Sequence, residues 1–243
     1  MLRLAALIPF ALVALVACVD SGDEGIYVLN NSAVTGESCT LSGSPDQAMV
    51  GHGQVNVLSP VAYVMTPLIE SRIQSVDGVD DTSKTVQLRG ADIKLTIKAV
   101  SIERGGQFMV TQPETALPPF SVLFSGSLKP GGSVNAFVEL IPPGTIRQIA
   151  QMSGANLDTD SLNSEVLAEV TIKGDLGGSS VESQPYFYPV TICNDCIVVN
   201  NGACPMTVAP RAGNACNPYQ DGVVDCCVDA SNNLVCPGST TMM

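Results

Sequence analysis

Apolar residues recur at every second position along most of the chain. Thr85-Val86-Gln87-Leu88 alternates, and beyond Arg89-Gly90 so does Asp92-Ile93-Lys94-Leu95-Thr96-Ile97-Lys98. A period of two puts one set of side chains on a core and the other in water, so these segments are expected to be half-buried strands. The same pattern predicts strands over 55–58, 62–66, 100–103, 120–128, 134–141, 166–173 and 186–193. Lys129-Pro130-Gly131-Gly132 has the turn chemistry of a hairpin between two of them, and Gly105-Gly106 and Gly177-Gly178 punctuate in the same way. One segment departs from the period. Pro142-Pro143 stops a strand, Pro143 suits the first position of a helix, and Ile146, Ile149 and Ala150 then fall three and four apart. That spacing predicts a turn or two of helix between 143 and 152, with one apolar stripe against the sheet. Many strands, irregular turns and no βαβ alternation predict an all-β, immunoglobulin-like sandwich with one short helix.

After residue 193 the alternation gives way to Asn, Gly, Pro and Cys. So small a segment buries too little surface to hold itself, and it is expected to be a disulfide-rich C-terminal appendix. Its tail, Gly238 to Met243, is expected to fray.

The other end of the chain has a different character. Arg3 precedes Leu4 to Ala17, an uncharged apolar run of fourteen residues. A membrane-crossing helix needs about 20, so the run reads as the apolar region of a signal peptide. It ends in Leu15-Val16-Ala17-Cys18, which resembles the lipobox of bacterial lipoproteins. The resemblance implies that the Cys18 thiol is alkylated by a diacylglycerol and that the chain is then cut before it. Each buried methylene contributes about 0.8 kcal/mol, so two or more acyl chains anchor stably without a spanning segment. By the same resemblance, Val19 in place of Asp implies sorting to the outer membrane. The organisation expected is a lipoprotein signal peptide over 1–17, a lipidated polar tether over 18–25, a β-sandwich over 26–192 and the cysteine-rich appendix over 193–243.

Cysteine arithmetic agrees with export. With Cys18 lipidated, eight remain: Cys39, Cys193, Cys196, Cys204, Cys216, Cys226, Cys227 and Cys236. An even set suits a complete disulfide framework in an oxidising compartment. Seven of the eight crowd into 193–236, so full pairing requires a bridge from Cys39 to that cluster. Neighbouring Cys226 and Cys227 should take separate partners, because bonding them to each other would strain the peptide between them; the other pairings stay open. Cys193-x-x-Cys196 has zinc-ligand spacing, but no second such pair and no His follows it. A thioredoxin-like pair needs a helix N-terminus, whereas Val190-Thr191-Ile192 and Ile197-Val198-Val199 flank this one with β-branched residues. Structural disulfides are the expectation, with no metal and no cofactor.

Charge narrows the partners. Lys plus Arg number 11 against 23 Asp plus Glu, for a net charge of −12, which lacks the clustered bases that hold a phosphate backbone. No nucleic-acid partner is expected. His52, the only histidine, lies in Gly51-His52-Gly53 and no Gly-x-Ser-x-Gly elbow accompanies it, so it reads as a surface-loop residue. Asp77, Asp80 and Asp81, and separately Asp158, Asp160 and Glu165, crowd two loops without EF-hand spacing and read as solvated acids. Tyr186-Phe187-Tyr188 puts both tyrosines on one face. With Phe187 in the core they form an exposed pair able to grip a sugar or a protein; with the tyrosines in the core they are packing.

Together these features predict a non-catalytic, membrane-anchored lipoprotein whose β-sandwich binds or scaffolds an envelope protein or glycan. The rival is an exported hydrolase with a glycosidase-like carboxylate pair on separate strands, which would show as two facing carboxylates in a cleft, one of them desolvated.

Overall fold

In the computed structural model, residues 25–34, 39–41, 44–74, 84–110, 113–194, 196–206 and 209–237 are described. The lipobox cysteine, the tether up to residue 24, Asp77, Asp80, Asp81 and the tail from Gly238 lie outside them. The fold is the all-β sandwich with one short helix and a disulfide-rich C-terminal module that the alternation predicts.

One layer is built on two long antiparallel strands, β5 (Val86–Arg104) and β11 (Ser161–Leu176), paired from Ser161↔Glu103 to Asp175↔Gln87. β13 (Tyr186–Cys193) lies on the far side of β11, and β2 (Gly53–Asn56) runs parallel to β13 beyond it. On the other edge of β5 come β6 (Gln107–Val110), β7 (Thr115–Ala116) and β8 (Phe120–Leu128), while β12 (Ser179–Glu182) pairs the end of β11. The second layer holds β1 (Ile26–Asn31), β4 (Pro67–Ser71) and β9 (Ser133–Asn135), together with the pair β3 (Tyr63–Met65) and β10 (Val138–Ile141). Ile26, Met65, Ile69 and Leu140 from this layer share one core with Ile93, Leu95, Val170 and Ile172 from the first.

The period-two signal works because both faces of the large sheet are chemically distinct. Ile93, Leu95 and Ile97 are fully buried. The intervening Lys94 points outward, directly across from Glu169 on β11, and its Nζ lies 2.7 Å from that carboxylate. Lys173 reaches Asp92 at 2.5 Å, Lys98 reaches Glu114 at 2.5 Å, and Arg89 pairs with Asp175. Each such surface pair contributes at most about 1 kcal/mol. Their larger effect is to occupy four of the 11 bases the chain has.

Three local expectations are corrected. Arg89-Gly90 does not end a strand: β5 runs through it, with a register shift against β8 between Leu88 and Gly90. A Cβ at residue 90 would overlap the Val122 carbonyl oxygen, so the glycine is there for close backbone approach rather than for a turn. Lys129 to Gly132 does form a turn, closed by the Gly132 N–H on the Lys129 carbonyl at 3.0 Å with Gly131 at φ 63°. However, β8 and β9 do not pair as a hairpin; the turn carries the chain from one layer to the other. The apolar run 134–141 likewise divides at Ala136-Phe137 into β9 and β10, which belong to different sheets.

The helix α1 (Pro143–Met152) falls where the spacing places it, with Pro143 in its first turn and Ile146, Ile149 and Ala150 buried on the core. No helix among the described residues is long and apolar enough to cross a membrane.

The C-terminal module has its own small sheet, β14 (Val198–Ala203), β15 (Val224–Val228) and β16 (Leu234–Val235), and a core of Val224, Cys226 and Cys236. Period two along β15 sends adjacent Cys226 and Cys227 to opposite faces. Cys226 bonds Cys236 and Cys227 bonds Cys204. Cys193 bonds Cys196, and Cys39 bonds Cys216 across 177 residues, with Cα atoms 4.7 Å apart.

Candidate functional site

The most concentrated polar chemistry lies where the cysteine-rich module meets the sandwich. β2 is a short strand with β13 on one side only, and Tyr219 to Asp221 cover its other edge. The Asn56 N–H donates to the Tyr219 carbonyl at 2.9 Å, and the Asp221 N–H donates to the Gln54 carbonyl at 3.0 Å. Gln220 adds a side-chain imitation of a strand: its Nε2 donates to the Val64 carbonyl at 2.9 Å while its Oε1 accepts the Val64 N–H at 2.8 Å. Asn217 is fully buried and donates to the Ala62 carbonyl at 3.2 Å, and Asn56, also fully buried, donates to the carbonyls of Asn194 and Cys196 at 2.9 and 3.1 Å. Buried amides are tolerated only when satisfied, and these are.

Behind this seam runs a relay of side chains from both layers. Asn31 Nδ2 donates to the Tyr188 hydroxyl at 2.8 Å, the two hydroxyls of Tyr188 and Tyr63 lie 3.0 Å apart, and Tyr63 donates to Asp221 Oδ2 at 2.7 Å. Since Asn31 donates to Tyr188 and Tyr63 donates to Asp221, the Tyr188 hydroxyl hydrogen is left to bond Tyr63. Every hydroxyl is then both donor and acceptor, and the carboxylate is the terminal acceptor. Asp221 Oδ1 accepts the Gln54 N–H at 2.7 Å. Burial pushes the Asp221 carboxyl up to about 6 against the opposing pull of those hydrogen bonds and of nearby His52. Burial raises the Tyr63 and Tyr188 hydroxyls as well, so both are neutral donors at physiological pH.

The packing leaves room for nothing larger. A Cβ on Gly53 would overlap the Tyr63 hydroxyl and come within 3.1 Å of the Tyr188 ring. Gly53→Ala is therefore expected to destabilise the protein by about 1–3 kcal/mol through overpacking, read as a lower midpoint in urea. An unchanged midpoint would mean that Tyr63 moves aside freely.

The exposed tyrosine pair is not formed: Tyr188 is 1 % exposed, Tyr186 is half-buried with its ring stacked on Tyr188, and Phe187 stands 56 % exposed. The tyrosines face the core because β13 must bury Val190 and Ile192, which share their parity. His52 is exposed, with Nε2 2.6 Å from the Thr191 hydroxyl and 3.8 Å from Glu165. The second acidic cluster is divided: Glu165 faces His52, whereas Asp160 takes a bidentate Arg104 pair and the Asn156 N–H, which hold its carboxyl down to about 2. Among the described residues no group of three or more His, Cys, Asp or Glu is placed to hold a metal ion. Asp225 in the module is likewise held low by bidentate Arg211.

Tyr63, Asn31, Asn56, Asn217, Gln220 and Asp221 carry the seam, and none of them has a sequence signature. The nearest signal is the uninterrupted Asn217-Pro218-Tyr219-Gln220-Asp221 directly after Cys216. Asp221 meets one requirement of the hydrolase reading, desolvation. Apart from its hydrogen-bond donors, the ionisable side chain that lowers it is His52 and not a second carboxylate, and its oxygens are occupied by Tyr63 and Gln54.

No protein-family model matches the chain, and no curated protein matches it. Among solved structures, a protein from Archaeoglobus fulgidus aligns with 57 % of this chain and 90 % of its own at 11 % identity and a TM-score of 0.32. The sporulation control protein Spo0M from Bacillus subtilis aligns with 59 % of this chain and 50 % of its own at 10 % identity and a TM-score of 0.22.

Proposed function

We propose that this protein is an exported, lipid-anchored, non-catalytic binding or scaffolding protein of the cell envelope, held at the outer membrane through Cys18. The observation that carries the reading is the complete pairing of the other eight cysteines in four disulfides. Such a framework belongs to an oxidising compartment, and it leaves Cys18, at the end of an apolar leader, as the one thiol not consumed by folding. The polar groups of the seam satisfy one another and hold the module to the sandwich, as expected of a scaffold. The partner in this reading is an envelope protein or a glycan.

Replacement of Cys18 by Ala tests the anchor. The variant is expected to lose radiolabelled palmitate incorporation and to leave the membrane fraction, while keeping its disulfides. A variant that stays with membranes after a carbonate wash would overturn the anchor. A wild-type chain whose amino terminus is found unmodified elsewhere would do the same.

A further inference from the structure

β8 has β5 on one side, and no strand pairs its other edge among the described residues. An open edge presents unbonded N–H and C=O groups, and proteins commonly guard such edges with charge. The outward residues of β8 are Ser121, Leu123, Ser125 and Ser127, none of them charged. Leu123 is 90 % exposed, the highest value for any large apolar side chain among the described residues, and it stands opposite Gly90, which offers it nothing to lean on.

Beside this edge is a groove of about 620 Å³, lined by Val64, Val122, Leu123, Phe137, Glu139 and the Cys39–Cys216 bridge. Phe137 is 47 % exposed although its neighbours Ala136 and Val138 are buried. Glu139 is the single charged group of the lining, and it makes no ion pair among the described residues, unlike the acids of the large sheet.

We infer that this groove binds an extended segment of a partner protein, which adds to β8 as a further strand. Main-chain bonds to the β8 edge supply affinity, and alternate side chains read the groove. Apolar side chains meet Leu123 and Phe137, and a Lys or Arg meets Glu139. Charge decides between occupants. A second copy would bring its own Glu139 and a further net charge of −12 to the same place, whereas a cationic strand pairs with Glu139 and is attracted by the net charge. The inference deepens the binding half of the function proposed above and is independent of the lipid anchor, which the Cys18 variant tests separately.

The test uses the oxidised, isotope-labelled protein, followed by amide NMR shifts. The probes are two acetylated and amidated pentapeptides, Val-Thr-Lys-Thr-Val and Val-Thr-Glu-Thr-Val, in which period two puts both valines and the charged residue on one face. Shifts are expected at residues 64, 121–123 and 137–139, with the Lys peptide about fivefold tighter, as one exposed ion pair allows. Glu139→Lys should reverse that order. Leu123→Ser should weaken both peptides, and N-methylation of alternate peptide amides should abolish binding. Absence of shifts at millimolar peptide, shifts confined to other surfaces, or a preference unmoved by Glu139→Lys would each overturn the inference. Shifts at these residues on dilution without peptide would overturn it in favour of a second copy.

Discussion

Replacing Cys39 and Cys216 together by serine is expected to lower the unfolding free energy by about 5 kcal/mol, the chain-entropy value for a loop of this length. The bridge spans 177 residues, and the entropy that it removes from the unfolded chain grows with the logarithm of that span. The double replacement avoids a lone thiol that could exchange with the three remaining bridges. It also frees Cys216, the residue that leads into the segment docked on β2, so the seam should open before the sandwich unfolds. Denaturant unfolding followed separately at the module and at the sandwich checks both parts. The other bridges should follow the same dependence on loop length. Removing Cys204–Cys227, 23 residues apart, should cost about 3 kcal/mol, and removing Cys193–Cys196, 3 apart, about 2 or less. If the shortest loop proves as costly to open as the longest, the bridges act on the native state and not on the unfolded chain.

The second large effect is a loss of stability as pH rises. The folded Asp221 carboxyl titrates near 6, against an ordinary value of 3.8. A raised carboxyl binds its proton more tightly in the folded than in the unfolded state. Its contribution is therefore fully present below about pH 4 and is lost as pH climbs through about 6. Two units of difference correspond to about 3 kcal/mol. Asp160 and Asp225 have the opposite sign, since their arginine partners hold them low. Their contributions are lost only on acidification below the ordinary carboxylate range, outside this window. Asp221→Asn mimics the protonated group and should remove the decline between pH 4.5 and 7. Subtracting the variant's curve from that of the wild type isolates Asp221 from every other titrating group. Parallel curves would show that water reaches this carboxyl freely. Exchange protection at 53–56 and 219–221, measured relative to the intrinsic rise of amide exchange with pH, should fall over the same interval, because Asp221 shares its hydrogen bonds with β2.

Composition and local pattern made much of this molecule readable in advance. Alternation located β5, β8, β11 and β13, since each buries one face on the core. Pro143 followed by Ile146, Ile149 and Ala150 located the helix, because a proline start and a three-four stripe are properties of consecutive positions. The helix fills all ten residues from 143 to 152 rather than the turn or two expected within them. The pattern failed wherever a strand's partner mattered more than its own residues. Lys129 to Gly132 has hairpin chemistry, and only the layers on either side decide that its two strands separate. Tyr186 and Tyr188 could have faced either way; the pairing of β13 with β11, Val190 opposite Val166, put them inward with the rest of the buried face.

What the chain alone determined was the class of fold, the helix and the need for Cys39 to find a partner in the C-terminal cluster. These depend on residues close in sequence, or on a simple count. The seam and the groove were decided by the tertiary structure. Asn31 meets Tyr188 across 157 residues, and Tyr63 meets Asp221 across 158. At such separations, which polar groups leave water together depends on how two sheets and a stapled module close on one another. No local periodicity records that closure.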